Sequence, residues 1–297
     1  MGRRGHLGAL IDVWQPSAAV RGRPVVMGVL NVTPDSFSDG GRYADVDSAV
    51  AHGRSLVADG ADLLDVGGES TRPGATRPLV SEELDRVVPV VAALAADGAV
   101  ISVDTMRAEV AAAALEAGAS VINDVSGGLA DPDILSVAAS ARATYIAMHW
   151  RGHADRMADL AVYDAPDGVV GAVRRELGGR VEALRAAGIA DEQIILDPGL
   201  GFAKSSEHSW ELVAALGVGG DLAGLGFPFL VGASRKSFLG ALLAAGGKPR
   251  PVHEREVAGH ALTLVLAERG VWGVRVHDVR GTRDVLRVWE QTRSRDE

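Results

Sequence analysis

Eight short runs rich in valine, isoleucine and leucine punctuate the chain, and each hands over to a polar residue. They are Val25–Leu30, Leu63–Val66, Val100–Val103, Ser120–Ile122, Thr144–Met148, Ile194–Leu196, Phe229–Val231 and Val274–Val276. Apolar runs this short read as strands buried on both faces. Stretches of helical period lie between them. Asp47 to Ala58 places Ala49, Val50, His52, Leu56 and Val57 in a helical pattern behind an Asp cap. Ser81 is the expected cap of the next helix, with Glu82 and Glu83 in its first turn, a stripe of Leu84, Val87, Val88 and Val91, and a kink at Pro89. Thr282 is the expected cap of the last helix, with Val285, Val288, Trp289 and Thr292 down one side. Eight strand–helix alternations in 297 residues predict one α/β domain, a single (β/α)8 TIM barrel. An open doubly wound sheet is the alternative, and the lack of G-x-G-x-x-G after the first strand weakens its dinucleotide-binding version. Residues 1–23 read as a short N-terminal extension, 24–292 as the barrel and 293–297 as a charged tail.

Composition narrows the function classes. With no cysteine, the chain has no disulfide, thiolate zinc site or cysteine nucleophile, and a cytoplasmic address is the simplest expectation. The net charge is −9 and no basic run stands out, which argues against a nucleic-acid partner. No stretch approaches the ~20 apolar residues of a membrane span. The longest candidate, Val87 to Val103, contains Pro89 and Asp97. Arg3 and Arg4 precede an apolar stretch that Asp12 interrupts, a poor signal peptide.

The residues that follow the strands are, in order, Asn31, Asp65, Asp104, Asn123, His149, Asp197, Ser234-Arg235-Lys236, and Arg275 with His277. Side chains alternate faces along a strand, so Ser102 and Asp104 share one face, and Arg275 and His277 share another. In a barrel this polar set converges at the C-terminal mouth, where catalytic groups of the fold sit. One polar residue merely marks a strand end. Eight in succession, with carboxylates and cations among them, point to a site.

The run Asn31-Val-Thr-Pro-Asp-Ser-Phe-Ser-Asp-Gly-Gly41 resembles the first signature of the dihydropteroate synthases, and Gly67-Gly-Glu-Ser-Thr-Arg-Pro-Gly74 resembles the second. Ser102-Val-Asp-Thr105, Ile122-Asn-Asp124, Asp197-Pro-Gly-Leu-Gly-Phe-Ala-Lys204, Ser234-Arg-Lys-Ser237 and Arg275-Val-His277 follow in family order. The resemblance spans about residues 24–292. Its departures are mild: Ala203 stands where the family often has Gly, and Trp150 follows His149 where Met or Asn is common.

The resemblance implies condensation of a dihydropterin diphosphate with 4-aminobenzoate by a dissociative substitution that releases pyrophosphate, with sulfonamides as competitors. A pterin presents a ring N–H beside an amino group, and one carboxylate accepts from both; the resemblance assigns this to Asp197. Asn123 offers a donor and an acceptor to other ring edges. Lys236 donates to the pterin oxygen and ring nitrogen, Arg275 lies on the ring face, and Met148 packs against it. Asp104 faces the methylene carbon, where positive charge develops. Asp104, Lys236 and Arg275 are therefore the implied catalytic set. Asn31, Thr71, Arg72, Arg275 and His277 are the implied pyrophosphate contacts, with Asn31 as single protein ligand to Mg²⁺. Phe37, Pro73, Phe202, Lys236 and Ser237 form the implied aminobenzoate site, with Ser237 expected to open a helix. The loops carrying Phe37 and Pro73 read as lids that order over bound substrates. A homodimer joined through barrel helices is a further implication.

Taken singly, several of these residues have plainer readings. Asp197 starts a turn before Pro198, Asn31 precedes a Thr-Pro turn, Arg72 is a loop charge, Met148 is barrel core, and His277 is a satisfied core histidine. Three other functions also remain open: a pterin-dependent methyltransferase to a corrinoid protein, an aldolase-like barrel using Lys236 as a Schiff base, and a non-catalytic pterin-binding paralogue.

Overall fold

The computed structural model describes residues 22–32, 42–69, 77–153, 156 and 159–293, with side chains from residue 46 onward in the second of these stretches. Among the described residues, eight strands form one sheet: β1 (Val25–Asn31), β2 (Leu63–Gly67), β3 (Ile101–Asp104), β4 (Val121–Asp124), β5 (Thr144–Met148), β6 (Ile194–Asp197), β7 (Leu230–Val231) and β8 (Gly273–Val276). All named pairs are parallel, in the order β6-β5-β4-β3-β2-β1-β8-β7. A parallel bridge from Leu196 to Phe229 and a 2.9 Å bond from Leu196 N–H to the Pro228 carbonyl join β6 to the start of β7. The sheet thus closes as the (β/α)8 barrel expected from the alternation.

Among the described residues, nine α-helices lie between and after the strands: α1 (Arg42–Ala58), α2 (Val80–Ala96), α3 (Ala108–Ala117), α4 (Asp133–Ala141), α5 (Gly168–Ala186), α6 (Ser206–Ala215), α7 (Ser237–Leu242), α8 (Glu256–Glu268) and α9 (Val279–Arg293). The segment after β7 carries two of them, the six-residue α7 and then α8. The strands are almost wholly buried because helices cover the outer face while side chains fill the interior. The outer core joins strand residues such as Val26, Leu64 and Ile122 to helix residues such as Val87, Leu94, Leu177 and Leu286. A separate apolar cluster of Val25, Met27, Leu63, Val121, Ile146, Ile195, Leu230 and Trp272 plugs the interior near the strand starts. Arg23 closes this end, donating to both oxygens of Asp62 at 2.6 and 2.7 Å, while Asp62 also accepts from Val26 N–H.

The helix starts differ from the expected caps. Asp47 lies inside α1. α2 begins one residue before Ser81, and Glu82 accepts the Leu79 N–H at 2.9 Å; the helix continues through Pro89. Asp278, not Thr282, caps α9 by accepting from Gly281 N–H at 3.0 Å. The α9 stripe is Val279, Thr282, Leu286 and Trp289, and Val288 faces solvent. In α2 and α9 the capping group sits where the incoming chain leaves an unpaired N–H, which residue type alone does not reveal.

Candidate active site at the barrel mouth

Strand register sets the first row of the site. Asn31 pairs with Gly67, Gly67 with Asp104, and Asp104 with Asn123. Three expected site residues therefore cross four strands at one level. Gly67 keeps the row open, because a Cβ there would lie 3.3 Å from the Asp104 Cβ. Below Asp104, Thr105 donates to the buried Glu83 of α2 at 2.7 Å, and Arg107 reaches the other Glu83 oxygen at 3.4 Å. These bonds pin the end of β3 to the helix layer.

Arg275 enters the row from β8. Its Nε donates to Asp65 Oδ2 at 2.6 Å and its Nη2 to Asp104 Oδ2 at 2.7 Å. Asn123 Nδ2 donates to the same Asp65 oxygen at 2.9 Å. Two carboxylates, the buried Asp65 and the half-buried Asp104, share one guanidinium. Burial, and Asp65 beside it, push Asp104 up to about 7, although Arg275 pulls the other way. Burial disfavours the charge on Arg275, yet the two carboxylates outweigh it and hold the guanidinium ionised.

The second half of the site is built on β6 and the 198–205 loop. Asp197 is buried, and one oxygen accepts from Gly199 N–H at 2.7 Å. Burial raises its pKa, opposed chiefly by Lys236 and by the Gly199 bond. Lys236 donates to the Leu200 carbonyl, and its ammonium sits 4.4 Å from the Phe202 ring centroid. Burial lowers Lys236 to about 8, with Asp197 resisting the shift. Met148 packs with Met106 and Val125, and Phe202 and Trp150 lie against that cluster. The expected ring-facing Met148 and the expected aromatic Phe202 thus belong to one apolar wall beside the Asp197–Lys236 pair.

His277 lies at the end of β8, its Nδ1 3.0 Å from Ser234 Oγ, which also receives the His277 N–H. Ser237 opens α7 as expected and is exposed. Phe37, Thr71, Arg72 and Pro73 lie outside the described residues. So do the loop segments expected to act as lids.

Asp65, which anchors both Arg275 and Asn123, stands in the polar set expected at the mouth but is not among the residues assigned a substrate contact. Its signal was there: a carboxylate inside the apolar run Leu63–Val66, on the same face as Gly67. Lys204 and His149 also meet, Lys204 Nζ lying 2.8 Å from His149 Nδ1. No spacing in the sequence pairs them.

For a metal, Asn31 places an amide at the end of β1, in register across Gly67 from Asp104. A single amide oxygen suits Mg²⁺, which takes oxygen ligands and keeps several waters. Among the described residues, Glu256, His260 and Asp278 also bring one ligand atom each within 4.8 Å of one another. That group is already committed: Glu256 accepts from Arg235 at 2.5 Å, and His260 lies 3.1 Å from Asp278.

Comparison with known proteins agrees with this geometry. Residues 27–277 match the model of the pterin binding enzyme family. The dihydropteroate synthase of Mycobacterium leprae is 52% identical over 266 residues, 89% of this chain and 91% of its own length. The Xanthomonas albilineans dihydropteroate synthase solved with 4-aminobenzoic acid superimposes with a TM-score of 0.82 at 44% identity, covering 92% of this chain and 94% of the other. The Yersinia pestis dihydropteroate synthase solved with a sulfonamide drug gives 0.82 at 41% identity, covering 92% and 96%. The chain belongs to the pterin binding enzyme family and, within it, to the dihydropteroate synthases.

Proposed function

We propose that this transferase joins 7,8-dihydropterin-6-ylmethyl diphosphate to 4-aminobenzoate, giving 7,8-dihydropteroate and pyrophosphate. The observation that carries the reading is the buried constellation at the barrel mouth, in which Asp197 and Lys236 stand beside the Asp65–Arg275–Asp104 triad and Asn123. Buried charges are costly unless paired or used. A flat heterocycle with adjacent donors and acceptors uses them. Asp197 accepts the ring N–H and amino group through its remaining lone pairs. Asn123 and Lys236 meet the other ring edges, and Arg275 covers the ring face. Met148 supplies the apolar wall.

The C–O bond to the diphosphate breaks first, and its electron pair leaves with pyrophosphate. Positive charge on the methylene carbon falls beside Asp104, which the Arg275 guanidinium helps to keep ionised. The aniline nitrogen then forms the C–N bond, and its surplus proton passes to pyrophosphate or water. Asn31, Thr71, Arg72, Arg275 and His277 bind the pyrophosphate, and Asn31 would hold Mg²⁺, which would neutralise phosphate charge. Phe37, Pro73, Phe202, Lys236 and Ser237 enclose the aminobenzoate, so sulfonamides compete there. We place the enzyme in the cytoplasm as a homodimer.

The test is one assay: purified protein, dihydropterin diphosphate, 4-aminobenzoate and Mg²⁺, with both products measured. Equal amounts of pyrophosphate and dihydropteroate are expected, with sulfonamide raising the apparent KM for aminobenzoate. Tight pterin binding without either product would point instead to a non-catalytic paralogue.

A further inference from the structure

Lys204 ends the 198–205 loop and points back beneath it. Its Nζ donates to the Phe202 carbonyl at 2.9 Å and lies 2.8 Å from His149 Nδ1. His149 is buried just beyond β5, and its Nε2 lies 2.9 Å from Glu176 Oε2 on α5. To accept from Lys204, Nδ1 must carry no proton. The ring proton then sits on Nε2 and is donated to Glu176. The shifts agree with this assignment. Burial, and then Lys204, lower His149 to about 4. Burial works against ionised Glu176, yet its bonds from His149 and Arg151 bring it down to about 2.

This strap reaches the pterin carboxylate through Gly199. The Gly199 N–H holds Asp197, and its φ of +65° is the left-handed region. A Cβ at Gly199 would lie 2.4 Å from the His149 carbonyl oxygen and 3.4 Å from Lys204 Nζ. The turn that holds Asp197 is therefore seated directly on His149 and Lys204. Tyr163 adds a further anchor, donating to the Ala203 carbonyl at 3.0 Å.

We propose that Lys204, held by the His149–Glu176 pair, is a positioning residue that fixes the 198–205 loop, so that Asp197 keeps its pterin-accepting orientation and Phe202 its place in the wall. The proposal rests on the pterin reading of Asp197. Around Lys204 stand His149 and Arg151 after β5, Tyr163 before α5, Glu176 on α5, Asp197 at the end of β6 and Lys236 before α7. Since Lys204 acts through backbone and through other side chains, its loss should weaken binding of both substrates more than it slows the bound complex.

Three variants test this: Lys204→Met, His149→Leu and His149→Asn. Asn keeps an oxygen near the position of Nδ1 and so an acceptor for Lys204, whereas Leu keeps bulk alone. Calorimetry with a plain pterin and steady-state kinetics are read on each. Lys204→Met and His149→Leu should raise the pterin Kd and the aminobenzoate KM on the order of tenfold, with kcat changed less. His149→Asn should recover most of the loss. The strap is overturned if His149→Leu binds pterin within about twofold of wild type, or if Asn and Leu lose equally, which is what a filling role would give. If Lys204→Met does not fold, the two His149 variants decide. Wild-type turnover separates the two claims. An active wild type with unaffected variants removes the strap alone, whereas a wild type that binds no pterin removes the functional reading beneath it.

Discussion

The two ends of this barrel are filled in opposite ways. Near the strand starts, Met27, Leu63, Val121, Ile146, Ile195 and Leu230 pack with Trp272 into an apolar plug. A few residues further along the same strands, Asp65, Asp104, Asn123, Asp197 and Arg275 face one another in a space almost as well buried. The backbone is the same at both ends, and only the side chains differ. Each large apolar side chain in the plug contributes about 1.5–3 kcal/mol by leaving water. Each charge at the mouth costs free energy unless a partner or ligand meets it. The base holds the fold, and the mouth holds groups ready for a ligand at the expense of stability.

The comparison is broken most severely at Arg275. Arg275→Met would leave Asp65 and Asp104 facing each other without their shared cation, a loss of about 3–5 kcal/mol in stability. Arg275→Lys keeps one charge but cannot bond both carboxylates through a planar fork, so turnover should fall by at least about 100-fold, or roughly 2.7 kcal/mol in the barrier. Denaturant unfolding and steady-state kinetics measure the two effects. An Arg275→Lys enzyme within threefold of wild type would mean that the guanidinium's two bonds do not matter for the reaction.

At the base the expected outcome is reversed. Ile146 is fully buried in the plug, so Ile146→Ala should cost about 2–5 kcal/mol. Pterin affinity, measured at a temperature where the variant is folded, should be unchanged. A large loss of affinity would show that the plug and the mouth are mechanically coupled.

The base was the easier end to read from sequence. Strands buried on both faces leave apolar runs, and all eight runs found their strands. The structure carries four of them one or two residues further at the C-terminal end, because Asn31, Asp104, Asn123 and Asp197 remain in the ladder although they are polar. At the mouth, the residues that stand in local signatures were legible: Asn123 and Asp104 share a row, and Asp197 and Lys236 are adjacent in charge. Asp65 and Lys204 were not legible as partners. Asp65 meets Arg275 across 210 residues and His149 meets Lys204 across 55, distances over which sequence carries no pairing rule. Helix caps failed for a related reason: Asp278 rather than Thr282 caps α9 because the turn from β8 presents Asp278 to the free N–H.

A pH titration sharpens the comparison at a smaller scale. Folding raises Asp104 to about 7 through burial, then through the carboxylates nearby, while in an unfolded chain an Asp titrates near ~3.9. The folded state therefore binds its proton more tightly. The stability from this group is present below about pH 4 and is lost as pH rises through about 7. Asp104→Asn keeps an acceptor for Arg275 but has no charge to bury. Its stability relative to wild type should rise between about pH 4 and 7, by at most about 1.4 kcal/mol per pH unit, and level off above. Denaturant midpoints of both proteins across that range measure it. A difference that is flat with pH would mean Asp104 stays ionised throughout, fully compensated by Arg275.

The smallest expected effect lies in the loop that carries Asp197 and Phe202 into the mouth. Ala203 has a φ of +48°, one of three non-glycine residues at positive φ among those described. The left-handed region costs an L-residue roughly 1–2 kcal/mol. Here the conformation is imposed by neighbours, since the Ala203 carbonyl accepts from Tyr163 and the adjacent Lys204 bonds the Phe202 carbonyl and His149. Ala203→Gly removes the clash of the Cβ but gives the unfolded chain more freedom, about 0.5–1 kcal/mol in the opposite direction. The net gain should be under about 1 kcal/mol, read as a small rise in the denaturant midpoint. Function decides what that gain means. If the loop is held by its polar anchors, pterin Kd and aminobenzoate KM stay within about twofold in Ala203→Gly, since every anchor is a backbone carbonyl or a residue other than 203. If affinity falls while stability rises, the alanine itself stiffens the loop, and the strain at Ala203 is part of how the mouth holds its shape.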